Sequence, residues 1–403
     1  MSTNENSTPT TSGVSDPAGE VLVRTKGILE KNALAPIKAF KEENPDSLVV
    51  GHMPIYSPRP VLEAIGCLPV AVYGAGDVDI IRGDSFFQSY ICHIPRSTVE
   101  IGMNGGLSDL DGMVFPSTCD VIRNLSGMWQ LLFPDVYSTY LDLPQNFDKE
   151  VGGKFYQYEM KRIARELGER GAKPLTEEAL EKAIVDENRR HRALRKVAAV
   201  RLEEPWRVPA SEAYQLTRAG SSLTALAHAE LIEEYLSVIP ERTGSAKDHV
   251  RVVLAGSFCE QPPLALIVSL EKSGCDVVID DFMLGLDYMT AEIEEGTGNG
   301  IKALADAFIN VGQQSAARYI DKEVKGQALI DKVKIYRADG VVFSAASFCD
   351  PALLDQPMQE AALDREGIPY TSFKFAENTG QFQVIREQAG AFSDAVRLWG
   401  SAT

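Results

Sequence analysis

The stretch DGMVFPSTCDVIRNLSG, Asp111–Gly127, has a counterpart in DGVVFSAASFCDPALLDQP, Asp339–Pro357. Each opens on Asp-Gly, runs through a short apolar segment to Phe, passes a Ser and reaches Cys-Asp. A short continuous apolar run bounded by turn residues is the pattern of a parallel strand covered on both faces. A helical period follows each Cys-Asp. The two stretches therefore read as equivalent strand-to-helix junctions in two similar α/β units, more than two hundred residues apart.

Working outward, the same alternation surrounds both. Before the first junction, SLVVGHMP and CLPVAVYGAG read as strands and RPVLEAIG as a helix. SFFQSYICHIPRSTVEIGM carries a mixed helical period that Pro95 is expected to interrupt. After the junction comes the strand VYSTYLDLPQ. Around the second junction, VRVVLAGS, CDVVIDD and IPYTSFKF read as strands. PPLALIVSLEKSG, ALLDQPMQEAALDREG and GQFQVIREQAGAFSDAVRLW read as helices. Between the two units, YEMKRIARELGERG, TEEALEKAIVDENRRHRALRKVAAVRLE and SEAYQLTRAGSSLTALAHAELIEEYLS are strongly helical, with solvated charged faces. The expected class is α/β: two doubly wound parallel-sheet domains of Rossmann or flavodoxin type with a helical connecting domain. The expected boundaries are 1–46 for a disordered or partly helical N-terminal segment, 47–149 for the first α/β domain, 150–247 for the helical domain and 248–403 for the second α/β domain.

Bulk properties narrow the function. The chain has 403 residues, 44% apolar and 24% charged, as in ordinary globular proteins. A net charge of −17 argues against nucleic acid as a partner, since no basic excess exists to neutralise phosphates. No apolar run reaches the ~18 residues that span a bilayer. The polar opening MSTNENSTPTTSGVSDPAGE has no signal-peptide character and reads as a disordered tail. A cytoplasmic setting with reduced thiols and no membrane partner is expected.

The six cysteines are Cys67, Cys92, Cys119, Cys259, Cys275 and Cys349, with no C-x-x-C pair. Cys67 and Cys275 sit inside apolar runs and read as packed thiols. Cys119 and Cys349 fall beyond strand ends, where ligands of open α/β sheets bind, and at helix starts, whose positive potential favours thiolate. Cys92, in the aromatic-flanked QSYICHIPRS, can lean over the same crevice. Three thiolates from distant parts of a chain can hold a [4Fe–4S] cluster with one iron left open; zinc on the same three is the competing metal. Cys259 reads as a packed thiol or a fourth ligand, and His93 as a structural histidine or a proton donor. In GSFCEQPPL, Glu260 and Gln261 either face a ligand or cap the following helix. No P-loop and no G-x-S-x-G elbow is present, and GAGDVD and GTGNG complete no dinucleotide fingerprint.

SYICHIPRSTVEIGM, FPSTCDVIRNLSGMWQLLFP, GSFCEQPPLALI, SFCDPALLDQPM and FKFAENTGQFQVIREQAGAF resemble one known family. It unites the ATP-dependent (class I) benzoyl-CoA reductases with the 2-hydroxyacyl-CoA dehydratases. YSPRPVLEAIGCLPV is similar to the wider family, whereas FCEQPP and CDVIRNLSGMW point to the C-type subunits of the aryl-CoA reductases. The resemblance runs from about Leu48 to the end. It implies that Cys92, Cys119 and Cys349 bind one [4Fe–4S] cluster, and that the module taking benzoyl-CoA is completed by a homologous B-type subunit. It also implies separate A and D subunits that hydrolyse ATP and pass on electrons from reduced ferredoxin, so that ATP is not used by this chain. The implied product is cyclohexa-1,5-diene-1-carbonyl-CoA, with His93, Glu260 or solvent as proton donor. In the dehydratase alternative the electron is recycled and water is lost. A noncatalytic electron-relay subunit is the third reading.

Overall fold

A computed structural model gives the fold and describes residues 17–30, 34–53, 55–73, 79–256, 262–282, 291–312, 324–376 and 382–399. Two helices, α1 (Pro17–Glu30) and α2 (Leu34–Glu43), lead into the first α/β unit. That unit runs β1 (Val49–His52), α3 (Arg59–Ala64), β2 (Leu68–Ala71), α4 (His93–Met103), β3 (Gly112–Pro116), α5 (Asp120–Leu132) and β4 (Tyr137–Leu141). The middle helices are α6 (Lys154–Gly168), α7 (Glu177–Glu203), α8 (Ala210–Ala219) and α9 (Ala225–Val238). The second unit runs β5 (Val250–Ala255), α10 (Leu264–Lys272), β6 (Cys275–Asp280), α11 (Gly300–Asn310), α12 (Gln327–Ile335), β7 (Gly340–Ala346), α13 (Asp350–Glu366), β8 (Tyr370–Phe375) and α14 (Phe382–Trp399).

Both sheets are four-stranded and parallel, with orders β2-β1-β3-β4 and β6-β5-β7-β8. Alternate residues of each strand enter different cores, as the two-residue strand period requires. In the first sheet Val50 and Val114 face α3 and α6, while Val49, Met113 and Phe115 face α4 and α5. In the second sheet Val252 and Leu254 face α10 and α14, while Val253, Val341 and Phe343 face α12 and α13. The sheets are thus doubly wound, as the apolar runs implied. The core beneath β1 and β5 is continuous through α6, α7 and α11, so the middle helices join the two units around shared packing.

The repeated Asp-Gly of the opening stretches has one structural job, done twice. Asp111 Oδ2 accepts the Val49 N–H at 2.7 Å, and Asp339 Oδ2 accepts the Arg251 N–H at 2.8 Å. The two Asp N–H groups donate to the carbonyls of those same residues. Each Asp therefore locks its strand in register beside the first strand of its unit. A Cβ on Gly340 would stand 2.6 Å from the Pro369 carbonyl oxygen, so only glycine admits the approach of the next strand. A second equivalence ties the units to the middle helices. Glu63 on α3 accepts the N–H of Ala225, the first residue of α9, and Glu271 on α10 accepts the N–H of Ser211 in the first turn of α8.

Two expectations need correction. Pro95 does not interrupt a helix, because it is the third residue of α4, where its missing N–H would have no intrahelical partner. Helices α11 and α12 were not anticipated. Of the N-terminal stretch read as a tail, residues 1–16 lie outside the described residues, whereas Pro17 begins α1, whose Ala18 and Val21 are buried with residues of α8 and α9.

Candidate active site at the cysteine crevice

Cys92, Cys119 and Cys349 line one cavity of about 420 Å³. Each is the residue immediately before a helix: Cys92 before α4, Cys119 before α5 and Cys349 before α13. The first turn of a helix has unpaired amide N–H groups and a positive end of the helix dipole. Three such termini border one volume, and each brings positive potential to its edge. Cys119 and Cys349 are each the third residue beyond their strand, after Pro116 and Ala346. Ser117 N–H and Ser347 N–H extend the ladders to Leu141 and Phe375, so the sheet holds both cysteine loops. These loops lie at the point in each sheet where the strand order reverses, the usual ligand crevice of such sheets.

The rest of the lining is mainly apolar: Met53 and Ile55 after β1, Ile94, Val121, Ile122, Phe348 and Leu354, with Thr118, Asp120 and Asp350 among the polar groups. Burial pushes the Cys119 thiol up; the N–H groups of Ile122 and Val121 pull against it, and the neighbouring Cys349 adds to the rise. Three non-glycine residues among those described have left-handed φ, and two belong to loops of this crevice: Tyr56 at 62° and Phe348 at 65°. Such backbone costs about 1–3 kcal/mol each and persists where surrounding structure imposes it. Phe348 holds the turn directly before Cys349 and is 49% exposed at the cavity edge.

The other candidates separate from this group. Cys67 and Cys275 are buried in the apolar core, and burial pushes both thiols up to about 12, so they remain protonated packing groups. His93 is buried; Cys92 and Ile94 on either side of it line the cavity, but His93 does not. Cys259, Glu260 and Gln261 lie outside the described residues. Among the described residues, no three His, Cys, Asp or Glu side chains are gathered closely enough to hold a single metal ion. Also among them, no helix is long and apolar enough to cross a membrane.

Sequence reasoning missed a second, smaller cavity on the far side of the loop after β1. It has about 60 Å³ and is lined by His52, Tyr56, Ser57, Arg59, Tyr73, Glu187 and Arg190, among others. Met53 and Ile55 face the cysteine cavity while His52, Tyr56 and Ser57 face this chamber, so one loop walls both. His52 Nδ1 donates to the Met53 carbonyl at 2.7 Å, and burial holds its pKa down at about 3, which keeps it neutral. A cavity of ~150 Å³ takes a benzene-sized guest. The cysteine cavity exceeds that size, whereas the chamber is smaller.

A family model described as 2-hydroxyglutaryl-CoA dehydratase, D-component, matches residues 54–396. The chain belongs to this family. It is 42% identical over 382 residues to the C-type subunit of benzoyl-CoA reductase from Thauera aromatica, covering 94% of this chain and 99% of that one. It is 24% identical to the (R)-phenyllactyl-CoA dehydratase beta subunit of Clostridium sporogenes, over 86% of this chain and 91% of the relative. It is also 24% identical to the beta subunit of (R)-2-hydroxyglutaryl-CoA dehydratase from Acidaminococcus fermentans, over 91% and 96%. As a member of the dehydratase D-component family with relatives named as subunits, the chain is one subunit of a multi-subunit enzyme.

Proposed function

We propose that the chain is the C-type subunit of an ATP-dependent benzoyl-CoA reductase, with Cys92, Cys119 and Cys349 holding a [4Fe–4S] cluster. The observation that carries this reading is the convergence of three cysteines, each before a helix N-terminus, on one largely apolar cavity. The donor set fits the group. Three thiolates standing around a volume, rather than gathered on one point, suit several irons better than a single zinc ion. When bound, the cluster supplies low-potential electrons one at a time.

The chain's own residues prepare the crevice for that chemistry. The helix termini stabilise the three thiolates. Met53, Ile55, Ile94, Val121, Ile122 and Leu354 exclude water, which limits loss of reducing power to protons. Ring reduction of benzoyl-CoA to cyclohexa-1,5-diene-1-carbonyl-CoA takes two electrons and two protons. Glu260, His93 and bound solvent are the candidate proton donors, and of these His93 does not line the cavity. The homologous B-type subunit shares the aryl-CoA thioester, and the A and D subunits hydrolyse ATP and relay electrons from ferredoxin.

The test is the anaerobic complex assembled from all four subunits and supplied with reduced ferredoxin, ATP and benzoyl-CoA. Formation of the cyclic diene with all four present, and neither ATP hydrolysis nor ring reduction by this chain alone, is the expected result. Turnover of a 2-hydroxyacyl-CoA with no reduction of benzoyl-CoA would move the chain to the dehydratase branch of its family.

A further inference from the structure

We infer that Arg96 positions Cys92 by clamping the loop that carries it, an inference that rests on the ligand role proposed for Cys92. The other two crevice cysteines leave the ends of strands β3 and β7, whose ladders fix them. Among the described residues, no strand leads into Cys92. It ends a long connection after β2 whose described part, residues 72–73 and 79–92, contains only a short 3₁₀ turn at Gly83–Ser85. A cysteine held by a loop needs another anchor if it is to meet the two held by sheets.

Arg96 is four residues beyond Cys92, in the first turn of α4. A cation there is unfavourable toward the positive end of the helix dipole, so helix formation alone gives no reason for it. Its contacts supply one. Arg96 Nε donates to the Ile91 carbonyl at 3.1 Å and approaches the Cys92 carbonyl at 3.5 Å. Its Nη1 pairs with Asp84 Oδ1 at 2.8 Å, and the guanidinium side chain is only 10% exposed. One planar fork therefore ties the turn at Cys92 to the earlier part of the same loop, which a lysine's single charged point would not do. The loop is also seated against the helix. A Cβ on Gly83 would stand 2.1 Å from the Arg96 carbonyl oxygen, and Glu100 Oε2 accepts the N–H groups of Ile81, Arg82 and Gly83 at 2.9, 2.5 and 2.9 Å. Residues 81–84 and 91–92 are thus both fastened to the first two turns of α4, and Arg96 is the side chain that reaches both.

The test follows each crevice cysteine separately. The full-length chain, stripped of metal under anaerobic conditions, is alkylated, and the rates at Cys92, Cys119 and Cys349 are read by mass spectrometry. Arg96→Met is expected to raise the Cys92 rate about tenfold relative to the other two in the same molecules, the scale of losing a charge-assisted clamp on local opening. Asp84→Asn is expected to give a smaller rise with the same selectivity. Equal acceleration at all three cysteines, or an unchanged ratio, overturns the inference. If Arg96→Met fails to fold, the ratio in Asp84→Asn decides alone. Iron content of the wild-type anaerobic complex is measured separately. An iron-free wild type would sink the ligand role of Cys92, while the labelling ratio would still decide whether Arg96 holds it.

Discussion

The crevice is built by two methods. Cys119 and Cys349 are set by their strands: an Asp carboxylate that locks the strand to its neighbour, and a Ser N–H that extends the ladder one step past the strand end. Cys92 is set by its loop: the described part of that loop joins no ladder, and Arg96, Asp84 and Glu100 do for it what hydrogen-bonded strands do for the others. The contrast teaches that equivalent ligand positions need not be equally robust. Substitutions in the loop should loosen one ligand at a time, whereas substitutions at the Asp locks should weaken a whole unit before any one cysteine is singled out.

The largest expected effect tests whether the three positions form one set despite their different supports. Cys92→Ala, Cys119→Ala or Cys349→Ala should each lower the iron and acid-labile sulfide of the anaerobic complex by about one cluster's worth. Cys67→Ala and Cys275→Ala should keep full metal and cost only packing, on the order of 1 kcal/mol. Full iron retention in Cys119→Ala would break the set.

The next effect compares how the two units grip the middle helices. Burial raises the carboxyl of Glu63 from 4.5 to about 7, with Arg59 the chief opposing influence, and burial raises that of Glu271 as well. An acid with a raised folded-state pKa keeps its proton after the unfolded chain has released it. Stability therefore falls as pH rises from about 4.5 toward 7 and levels off above. For Glu63 the loss reaches about 3 kcal/mol at the upper end. Glu63→Gln, which still offers an oxygen to Ala225, should flatten that slope in urea unfolding followed across pH. A slope unchanged by the substitution would mean that Glu63 is ionised in the folded chain.

Much of this architecture is written in local pattern, and the exceptions have physical reasons. The strands were legible because parallel strands covered on both faces are uninterrupted apolar runs, as in GMVFP and GVVFSAA. Cys119 and Cys349 stood out for the same reason, as the first chemically active residues after such runs. Helix α11 was missed because it is mostly apolar and buried, with only a narrow polar stripe of Lys302, Asp306 and Asn310 to mark its helical period. Pro95 misled because proline breaks helix interiors but is tolerated in the first turn. Arg96 was overlooked because a lone arginine on a helix reads as solvated surface; only its place in the first turn, opposed to the dipole, marked it as unusual. The chamber behind the β1 loop draws residues from distant elements and leaves no sequence signature at all.

A smaller effect checks whether the Asp locks are interchangeable. Asp111→Ala and Asp339→Ala each strip a partner from a strand N–H, at Val49 and Arg251, and each should cost about 1–3 kcal/mol in denaturant unfolding. Comparable losses would mean that the two units rely on the lock equally. If only one substitution matters, the repeated Asp-Gly is a likeness of sequence without a shared mechanical role.

The smallest expected effect returns to the loop of Cys92. Burial alone would raise the Glu100 carboxyl, but the N–H groups of Gly83 and Ile81, the Asn104 amide and the Arg82 N–H together hold it below its usual 4.5. A carboxylate with a depressed folded-state pKa stabilises fully above the unfolded value and loses that contribution as pH falls through the folded one. Acidification below about 4.5 should therefore release residues 81–83 while the sheets stay protected. Amide hydrogen exchange reads this directly, with the N–H groups of Ile81, Arg82 and Gly83 opening before those of β3 and β7. Glu100→Gln should mimic the acid state at neutral pH, with Cys92 alkylated a few-fold faster and Cys119 and Cys349 unchanged. Simultaneous loss of protection in the loop and both sheets would show that Cys92 is held by the fold as a whole, and the two-method picture of the crevice would fail at the place where it makes its finest distinction.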